Sequence, residues 1–318
     1  HVLCIISSVV WRLSCTDRAG EWGCLMTRWV CGCRIPAPPP PPLALAGGIG
    51  LLPGNGEPLE RCLLRALLDE HWPASLCANL RRLHWAAAQV RGRLSGENWL
   101  ALLELQRDMQ ALDPARTDLG EALDFLNRLV MSLAALSGFA LDDMTRDDGW
   151  RFLMIGRRIE RVRFFAESIA AFLDGGSAWD AGALEWLLEL GNSGITYRSR
   201  YLASPQLVPV LDLLLLHEQN PHSLRFQLQA LERSLERLHE EFGAPREREL
   251  RTLGERLRSF DLAALESPLF GAAGLDEVLV GLARLLRDIA ACAGQVSDRL
   301  GLRYFAHVDD VSQRTVST

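Results

Sequence analysis

The chain has 318 residues and a formal net charge of −6, with 48% hydrophobic and 23% charged residues, a composition that is ordinary for a soluble globular protein. The negative balance argues against broad binding to nucleic acid or to anionic membranes. All 34 basic residues are arginine, which excludes a Schiff-base lysine and the lysine of a phosphate-binding loop.

The first 55 residues differ in composition from the rest. Five of the eight cysteines fall within the first 33 residues, and an uninterrupted proline run from Pro38 to Pro42 follows. Such a run cannot be helical and is typical of a stiff, extended linker. We therefore expect residues 1–55 to be an irregular, Pro-rich and disordered extension, and residues 56–318 to form a single folded domain.

From residue 57 onward the apolar residues recur at helical spacing. The expected helices cover residues 58–72, 75–94, 95–112, 118–141, 148–174, 181–203, 207–217, 221–242 and 275–300. Ser95 and Thr145 are placed as helix caps, and Asn220-Pro221 as a helix start. Valine and isoleucine are few and alternation is rare, so the sequence predicts an all-α multi-helix bundle.

No targeting or membrane segment is predicted. The apolar stretch "LCIISSVV" is too short to span a bilayer and lacks the features of a signal peptide. The stretch "LVPVLDLLLL" is interrupted by Pro209 and Asp212, and no other run reaches the ~18 apolar residues that a membrane helix needs. We expect a cytoplasmic protein.

The stretch Gly149–Phe165, "GWRFLMIGRRIERVRFF", carries five arginines among large apolar residues. At 100° per residue, one helix face is a core stripe and the opposite side is mixed. The stripe holds Phe152, Ile155, Ile159, Val162, Ala166, Ile169 and Leu173; the mixed side holds Met154, Phe164, Phe165, Phe172, Arg157, Arg161 and Ser168. A helix that is apolar on two sides is buried on two sides, so the two arginines on the mixed side are predicted to be partly buried.

Arg157 and Arg161 stand four residues apart and repel each other, so burying them requires compensating negative charge. Glu160 is spaced to pair with Arg157, but one carboxylate cannot neutralise two guanidiniums. Two interpretations remain open. One is an internal salt-bridge network, and the other is a site for phosphate or carboxylate, which the planar guanidinium fork recognises well.

A second polar concentration lies in "GITYRSRYL", residues 194–202. Tyr197 and Tyr201 share a helix face, and Arg198 and Arg200 flank a serine. Tyrosine hydroxyls and arginines are good donors to an anion or a carbonyl, although paired tyrosines also occur at the edge of a core. This segment is therefore a candidate binding surface or a part of the core.

Neither a metal nor a cofactor is predicted. Asp143 and Asp147 have the Asp-x-x-x-Asp spacing of a magnesium site, but no second acidic motif follows, and both lie where helix-start aspartates belong. The Cys-x-Cys pair at residues 31–33 lacks a second pair of zinc ligands. Pro221 separates His217 from His222 and breaks the geometry of a metalloprotease helix.

Four ordered stretches of the chain resemble a known family. They are residues 75–99, 149–165, 194–228 and 296–308, and they are similar to the bacterial alpha-E family, predicted helical domains named for a Glu-Arg motif, here Glu160-Arg161. Family members usually begin with another helix that carries an earlier Glu-Arg element, of which only "PLERCLL" remains. By its motifs, the resemblance implies functional roles for Gly156, Arg157, Glu160, Arg161, Tyr197, Arg198, Arg200, Tyr201, Asn220 and Ser223.

The resemblance implies a role beside other proteins that act on peptides. Alpha-E domains are encoded beside, or fused to, ATP-grasp ligase-like and transglutaminase-like proteins, in a system thought to synthesise or modify peptides. We expect a helical partner of such a ligase, with an arginine–tyrosine pocket for a carboxylate or phosphate group of the peptide. Two alternatives stay open: an enzyme that uses Glu160 as general acid or base, and a structural scaffold that joins the two partner proteins.

Overall fold

The computed structural model describes residues 59–71, 75–175, 178, 180–201, 204–266 and 272–305. The predicted extension over residues 1–55 lies outside these ranges. The described residues form eleven α-helices and no strand. The all-α class predicted from the sequence is thus confirmed.

The helices follow one another with short connections. They are α1 (Leu59–Leu68), α2 (Leu76–Gln89), α3 (Gly96–Gln110), α4 (Leu119–Asp142), α5 (Asp148–Asp174), α6 (Ala181–Leu190), α7 (Gly194–Tyr201), α8 (Leu207–Leu211), α9 (Leu224–Phe242), α10 (Arg248–Arg258) and α11 (Ala272–Tyr304). Short 3₁₀ segments cover Arg91–Arg93 and Leu262–Glu266, and α8 continues into a π-helical turn over Asp212–Leu216.

Side-chain caps set the helix starts. Ser95 accepts from the backbone N–H of Asn98 at 3.2 Å, as predicted. The cap of α5 is Asp147 rather than Thr145, because the Asp147 carboxylate accepts from the Trp150 N–H at 3.0 Å. The ninth helix starts three residues later than predicted, since Ser223 accepts from the Phe226 N–H at 3.1 Å and so caps it.

The expected helix over residues 181–203 is split between α6 and α7. Gly191 lies against the buried Phe165 of α5, where an added Cβ would be 3.0 Å from Cζ of that ring and 2.7 Å from Cδ2 of Leu214. Asn192 follows in the left-handed region with φ of 43°. This close approach requires glycine and a sharp turn, which end α6.

Most of the buried apolar side chains of the described residues form two separate clusters. Thirteen residues from α1 to α4 form the first, which we call the α1–α4 cluster; they include Leu83, Leu105 and Leu129. Forty-two residues from Ile155 to Val296 form the second, the α5–α11 cluster. In the α5–α11 cluster α5 is central, because it packs along α11 on one side and α9 on another.

Two isolated cysteines behave as small apolar residues. Cys77 lies in the α1–α4 cluster and Cys292 in the α5–α11 cluster, and both are free thiols. Burial raises the pKa of each thiol to about 11. A thiol in such surroundings is poorly reactive.

Among the described helices, only α4 is long and apolar enough to cross a membrane by length and composition. The mean hydropathy of its most apolar window is 1.3. Leu126, Leu129 and Leu133 of α4 belong to the α1–α4 cluster. Only 28% of that window is buried, and Met131 is 68% exposed, so packing in the α1–α4 cluster accounts for one face of α4 only. By length and composition, α4 departs from the expectation that no further stretch is apolar enough for a membrane helix.

Candidate functional site

The central helix α5 is buried on two sides, as its sequence predicted. Ile155, Ile159 and Val162 of the core stripe are at most 1% exposed, and on the mixed side Phe165 and Phe172 are equally buried. Gly156 is also buried. The arginines of α5 are thus attached to a helix whose backbone lies inside the α5–α11 cluster.

Arg157 is the most unusual of these arginines. Its side chain is only partly exposed, and it forms no hydrogen bond or ion pair with any part of the chain that the structure describes. Burial, and secondarily the neighbouring charge of Arg158, lowers the pKa of Arg157. An arginine nevertheless keeps its proton in proteins, so the molecule holds a partly desolvated positive charge at this position.

Arg158 faces α9 from the next position of α5. Its Nη1 donates to Oε1 of Gln227 at 3.3 Å, and its Nε is buried with no hydrogen-bond partner among the described residues. Burial also lowers the pKa of Arg158, with a smaller effect from the charge of Arg233. A neutral amide oxygen orients this guanidinium but does not neutralise it.

Glu160 pairs with a different arginine from the one expected. Its Oε1 lies 3.6 Å from Nη1 of Arg163, one turn further along α5, and the Glu160 side chain is 15% exposed. Arg163 in turn lies across Gly294 of α11, where a Cβ would be 3.5 Å from its Nε. The expected pair with Arg157 is not formed among the described residues, since the Glu160 carboxylate lies beside Arg163 instead. Arg161 is partly buried, one turn after Arg157.

Tyr197 is 1% exposed and belongs to the α5–α11 cluster. Its hydroxyl donates to the Ser204 carbonyl at 3.3 Å and accepts from the Gln206 N–H at 3.1 Å. Its ring packs against Tyr201 with centroids 4.8 Å apart. These contacts fix the turn after α7 and leave little of this hydroxyl for a ligand.

The other residues of the α7 segment lie nearer to solvent. Tyr201 donates to Oδ2 of Asp212 at 3.4 Å, and burial, followed by the charge of that aspartate, raises the pKa of Tyr201. Arg200 donates to Nε2 of His217 at 2.6 Å and lies over the Tyr201 ring. Arg198 is exposed and forms no ion pair within the described ranges.

Asn220 and Ser223 form buried hydrogen bonds within the loop before α9. The Asn220 amide donates to Oγ of Ser193 at 3.0 Å and to the Leu213 carbonyl at 3.1 Å. Ser223, the cap of α9, donates to the His217 carbonyl at 2.6 Å. These contacts join the α6–α7 turn, the π-helical turn and α9, which is a structural role.

The arginines of α5 and the tyrosine–arginine segment of α7 are therefore linked by intervening hydrogen bonds and do not form one site. Arg200 contacts His217, residues 217–223 form the loop that ends at α9, and Gln227 of α9 donates to the Pro221 carbonyl and accepts from Arg158. No described contact joins an α7 residue directly to an arginine of α5. The loop 217–223 lies between the two groups.

Within the described ranges no group of three His, Cys, Asp or Glu side chains comes together as a metal ligand set would. Asp147 has two other contacts, since it caps α5 and pairs with Arg93. The backbone N–H of Trp150 and then the charge of Arg93 lower the pKa of Asp147. Its spacing from Asp143 is thus explained by the junction of α4 and α5.

Sequence reasoning missed Arg158 and Gln227. Arg158 was one of five arginines in the central stretch and was not singled out. The available signal was Phe165, which lies seven residues further on the same side of the helix and is buried, so that side of α5 faces another helix. Gln227 gave no signal, because its contact with Arg158 spans 69 positions of the chain. Such pairs depend on how α5 and α9 pack.

These features define a class of protein: an all-α domain built on one long central helix that carries a Glu-Arg pair and partly buried arginines. The chain belongs to the Alpha-E family, described as a predicted alpha-helical domain with a conserved ER motif, whose model matches residues 40–305. The resemblance found in the sequence is confirmed. The match begins at residue 40, within the segment expected to be an extension.

Two of the similar proteins come from mycobacteria. An uncharacterized protein of Mycobacterium bovis and one of Mycobacterium tuberculosis are each 31% identical to this chain over 232 residues. The alignment covers 70% of this chain and 26% of each relative, so the chain spans about a quarter of the length of the curated relatives it matches. No solved structure matches the chain.

Proposed function

We propose that this Alpha-E domain binds an anionic group, a carboxylate or a phosphate, at the arginines of α5. The observation that carries the proposal is Arg157, a partly buried guanidinium with no ion pair or hydrogen bond among the described residues. Arg158 is the second cation of the site, oriented by Gln227. Arg161 is the third candidate, one turn along the same helix.

The energetics favour an external anion over an empty site. Burying a charge costs several kcal/mol when no opposite charge approaches it, and like charges at neighbouring positions add to that cost. A bound anion would remove both penalties with charge-assisted hydrogen bonds, each worth about 1.5–3 kcal/mol. The fork geometry of arginine suits oxyanions in particular.

The wider setting of the proposal rests on the family resemblance. We propose that the anion belongs to a peptide handled by an ATP-grasp ligase-like protein, with a transglutaminase-like protein as a second partner, in the cytoplasm. The domain would position the peptide electrostatically and leave the ATP chemistry to the ligase, which agrees with a chain that contains no lysine. Tyr201, Arg198 and Arg200 would then line an outer part of the binding surface beyond the loop 217–223.

One observation favours the scaffold alternative. Glu160 is 15% exposed and lies 3.6 Å from Arg163, which in turn packs on α11. The Glu160 carboxylate positions Arg163 against α11, and this contact helps to fix how α5 and α11 pack, as a structural salt bridge does. The same pairing disfavours Glu160 as a general base, because an adjacent cation stabilises the ionised carboxylate.

Isothermal titration of the full chain with inorganic phosphate and with a glutamate-terminated peptide tests the anion site. We expect Arg157→Met to weaken binding of the preferred anion by about tenfold or more, because it removes a hydrogen bond between charged groups. Arg284→Met is the matched control, since Arg284 is exposed on α11. Equal affinities in all three proteins, or no binding to the wild type, would refute the site.

The partnership is tested separately. In a reconstituted reaction with the ATP-grasp ligase-like protein, Arg161→Met is expected to abolish ligation while the helical content of the domain is unchanged by circular dichroism. Full ligation by the variant would remove the proposed role in that system, and would leave the binding result to be judged on the titration alone.

A further inference from the structure

A cavity of about 340 Å³ lies between α2 and α3, in the part of the molecule that the proposed anion site does not use. Its wall includes the apolar residues Leu83, Leu105 and Trp85 and the polar residues Arg81, His84 and Gln106. The volume lies within the range of small-molecule sites in proteins, roughly 300–1,000 Å³. A second described cavity, between α9 and α10, holds only about 20 Å³ and has room for one water at most.

The cavity is mainly apolar. Leu83 and Leu105 on its wall are 1% and 3% exposed, and both belong to the α1–α4 cluster. By contrast Trp85, also on the wall, is 61% exposed, which is a large apolar surface to leave in water. A ligand that covers this indole and fills the space above the leucines gains hydrophobic stabilisation from both.

Two polar side chains of the wall have unused hydrogen-bonding capacity. Nε2 of His84 is buried with no hydrogen-bond partner among the described residues, and its ring packs against Trp99 with centroids 5.4 Å apart. Gln106 is partly buried and forms no hydrogen bond in the described part of the chain. The charge of Arg81 is already paired with Glu70, so the cavity offers no free charge to an ionic ligand.

We infer that this cavity binds a small neutral aromatic molecule that carries one hydrogen-bonding group. The size follows from the volume: at the roughly 30 Å³ that a water occupies in the liquid, the cavity of about 340 Å³ accommodates about eleven heavy atoms. A bicyclic ring such as indole matches this size. The apolar body lies on the leucines and Trp85, and its polar atom bonds to His84 or Gln106.

Saturation-transfer NMR of the full chain with indole as the probe tests the site. Ala88 is exposed on the rim, so Ala88→Trp blocks the cavity without altering the buried core. Ala135→Trp is the matched control, because Ala135 is exposed on α4 and does not line the cavity. We expect Ala88→Trp to weaken indole binding at least tenfold and Ala135→Trp to leave it within twofold. No saturable binding at millimolar indole, or equal binding by Ala88→Trp, overturns the inference.

A second probe tests the polar contact. Indene has the shape of indole but lacks its N–H, so the wild type is expected to bind indole about two- to tenfold more tightly, the range of one neutral hydrogen bond. In the double variant His84→Phe/Gln106→Met the two probes should bind equally. An unchanged preference for indole in that variant contradicts the assignment of the hydrogen-bonding group.

Discussion

The helices α1–α4 and the helices α5–α11 each enclose a cluster of buried apolar residues, and the two clusters differ in size. In the first region thirteen buried residues form the cluster, and an apolar cavity remains between two helices. In the second, the cluster has forty-two buried residues and packs against α5 on two sides, so that Arg157 of α5 is partly buried at the edge of the cluster. The comparison teaches that helix content alone does not set the chemistry of a site, because one all-helical region has an apolar cavity and the other has partly buried arginines.

Polar contacts cross the boundary between the two regions. The indole N–H of Trp150 donates to the Ala140 carbonyl at 2.9 Å, and Arg93 pairs with Asp147. The two clusters of buried residues share no member in the described part of the chain. We therefore expect the regions to differ in stability, with the smaller α1–α4 region the weaker one.

The largest expected effect comes from deleting a core leucine in each region. Leu129 and Leu231 are both 0% exposed, and a leucine-to-alanine change in a core costs about 2–5 kcal/mol. Hydrogen exchange measured by mass spectrometry should show that Leu129→Ala exposes the amides of α1–α4 while those of α5–α11 stay protected. The same loss of unfolding free energy is a larger fraction of the stability of the α1–α4 region, because its core is smaller.

Leu231→Ala sharpens this comparison from the other side. It should lower the protection of α5, α9 and α11 and leave the protection of α1–α4 little changed. If either variant lowers protection equally in both regions, the two clusters unfold as one unit and the distinction between them fails.

A smaller effect is expected from the buried polar contacts of the second region. Asn220→Ala removes the donors to Ser193 and to the Leu213 carbonyl, which leaves that carbonyl buried without its partner. The cost should be about 1–3 kcal/mol, measured by urea unfolding. Gln219→Ala, at an exposed neighbouring position, is the control, and a variant at Asn220 as stable as this control would exclude a structural role.

The smallest effects concern two glutamates one turn apart on α9. Burial raises the pKa of Glu232, whereas the hydrogen bond from Arg246 lowers the pKa of Glu236. A raised pKa means that the folded state binds the proton more tightly than the unfolded state, so Glu232 costs stability as pH rises above its ordinary pKa. A lowered pKa means the reverse, so Glu236 adds stability that is lost as pH falls.

The two substitutions therefore have opposite signs. At neutral pH, Glu232→Gln should raise the melting temperature and Glu236→Gln should lower it. The first difference should vanish as the pH falls through the raised pKa of Glu232 to the ordinary glutamate pKa, and the second should shrink as the pH falls further, towards the lowered pKa of Glu236. Thermal unfolding from pH 3 to 7 measures this. A shift of the same sign in both variants would show that the two side chains do not differ in environment.

Much of the fold could be predicted from the sequence, because apolar spacing and side-chain caps are local signals. Ser95 and the two-sided apolar pattern of α5 are examples. The helix α10 was missed, since charged residues dominate Arg248–Arg258 and hide its three buried leucines. The separation into two clusters could not be predicted, because it depends on which helices pack together.

The candidate site could be predicted only in part. The partial burial of Arg157 followed from the pattern of α5, but the partner of Glu160 did not. Sequence spacing allows Glu160 to reach Arg157 or Arg163 equally well, and the packing of α11 selects Arg163. Tyr197 was predicted as a donor to a ligand, but its hydroxyl bonds to the backbone at Ser204 and Gln206. The helical pattern of the sequence does not reveal that contact, because it depends on how the chain turns after α7.

The most direct test of the anion site is the unfolding free energy of the wild type and of Arg157→Met, each measured with and without phosphate. Without phosphate the variant should be as stable as the wild type or more stable, because it loses a partly buried charge with no partner among the described residues. Phosphate at one hundred times its dissociation constant should stabilise the wild type by about 2.7 kcal/mol and the variant far less. A variant that is several kcal/mol less stable without phosphate, beside a wild type that phosphate does not stabilise, would contradict the account and show that Arg157 is structural.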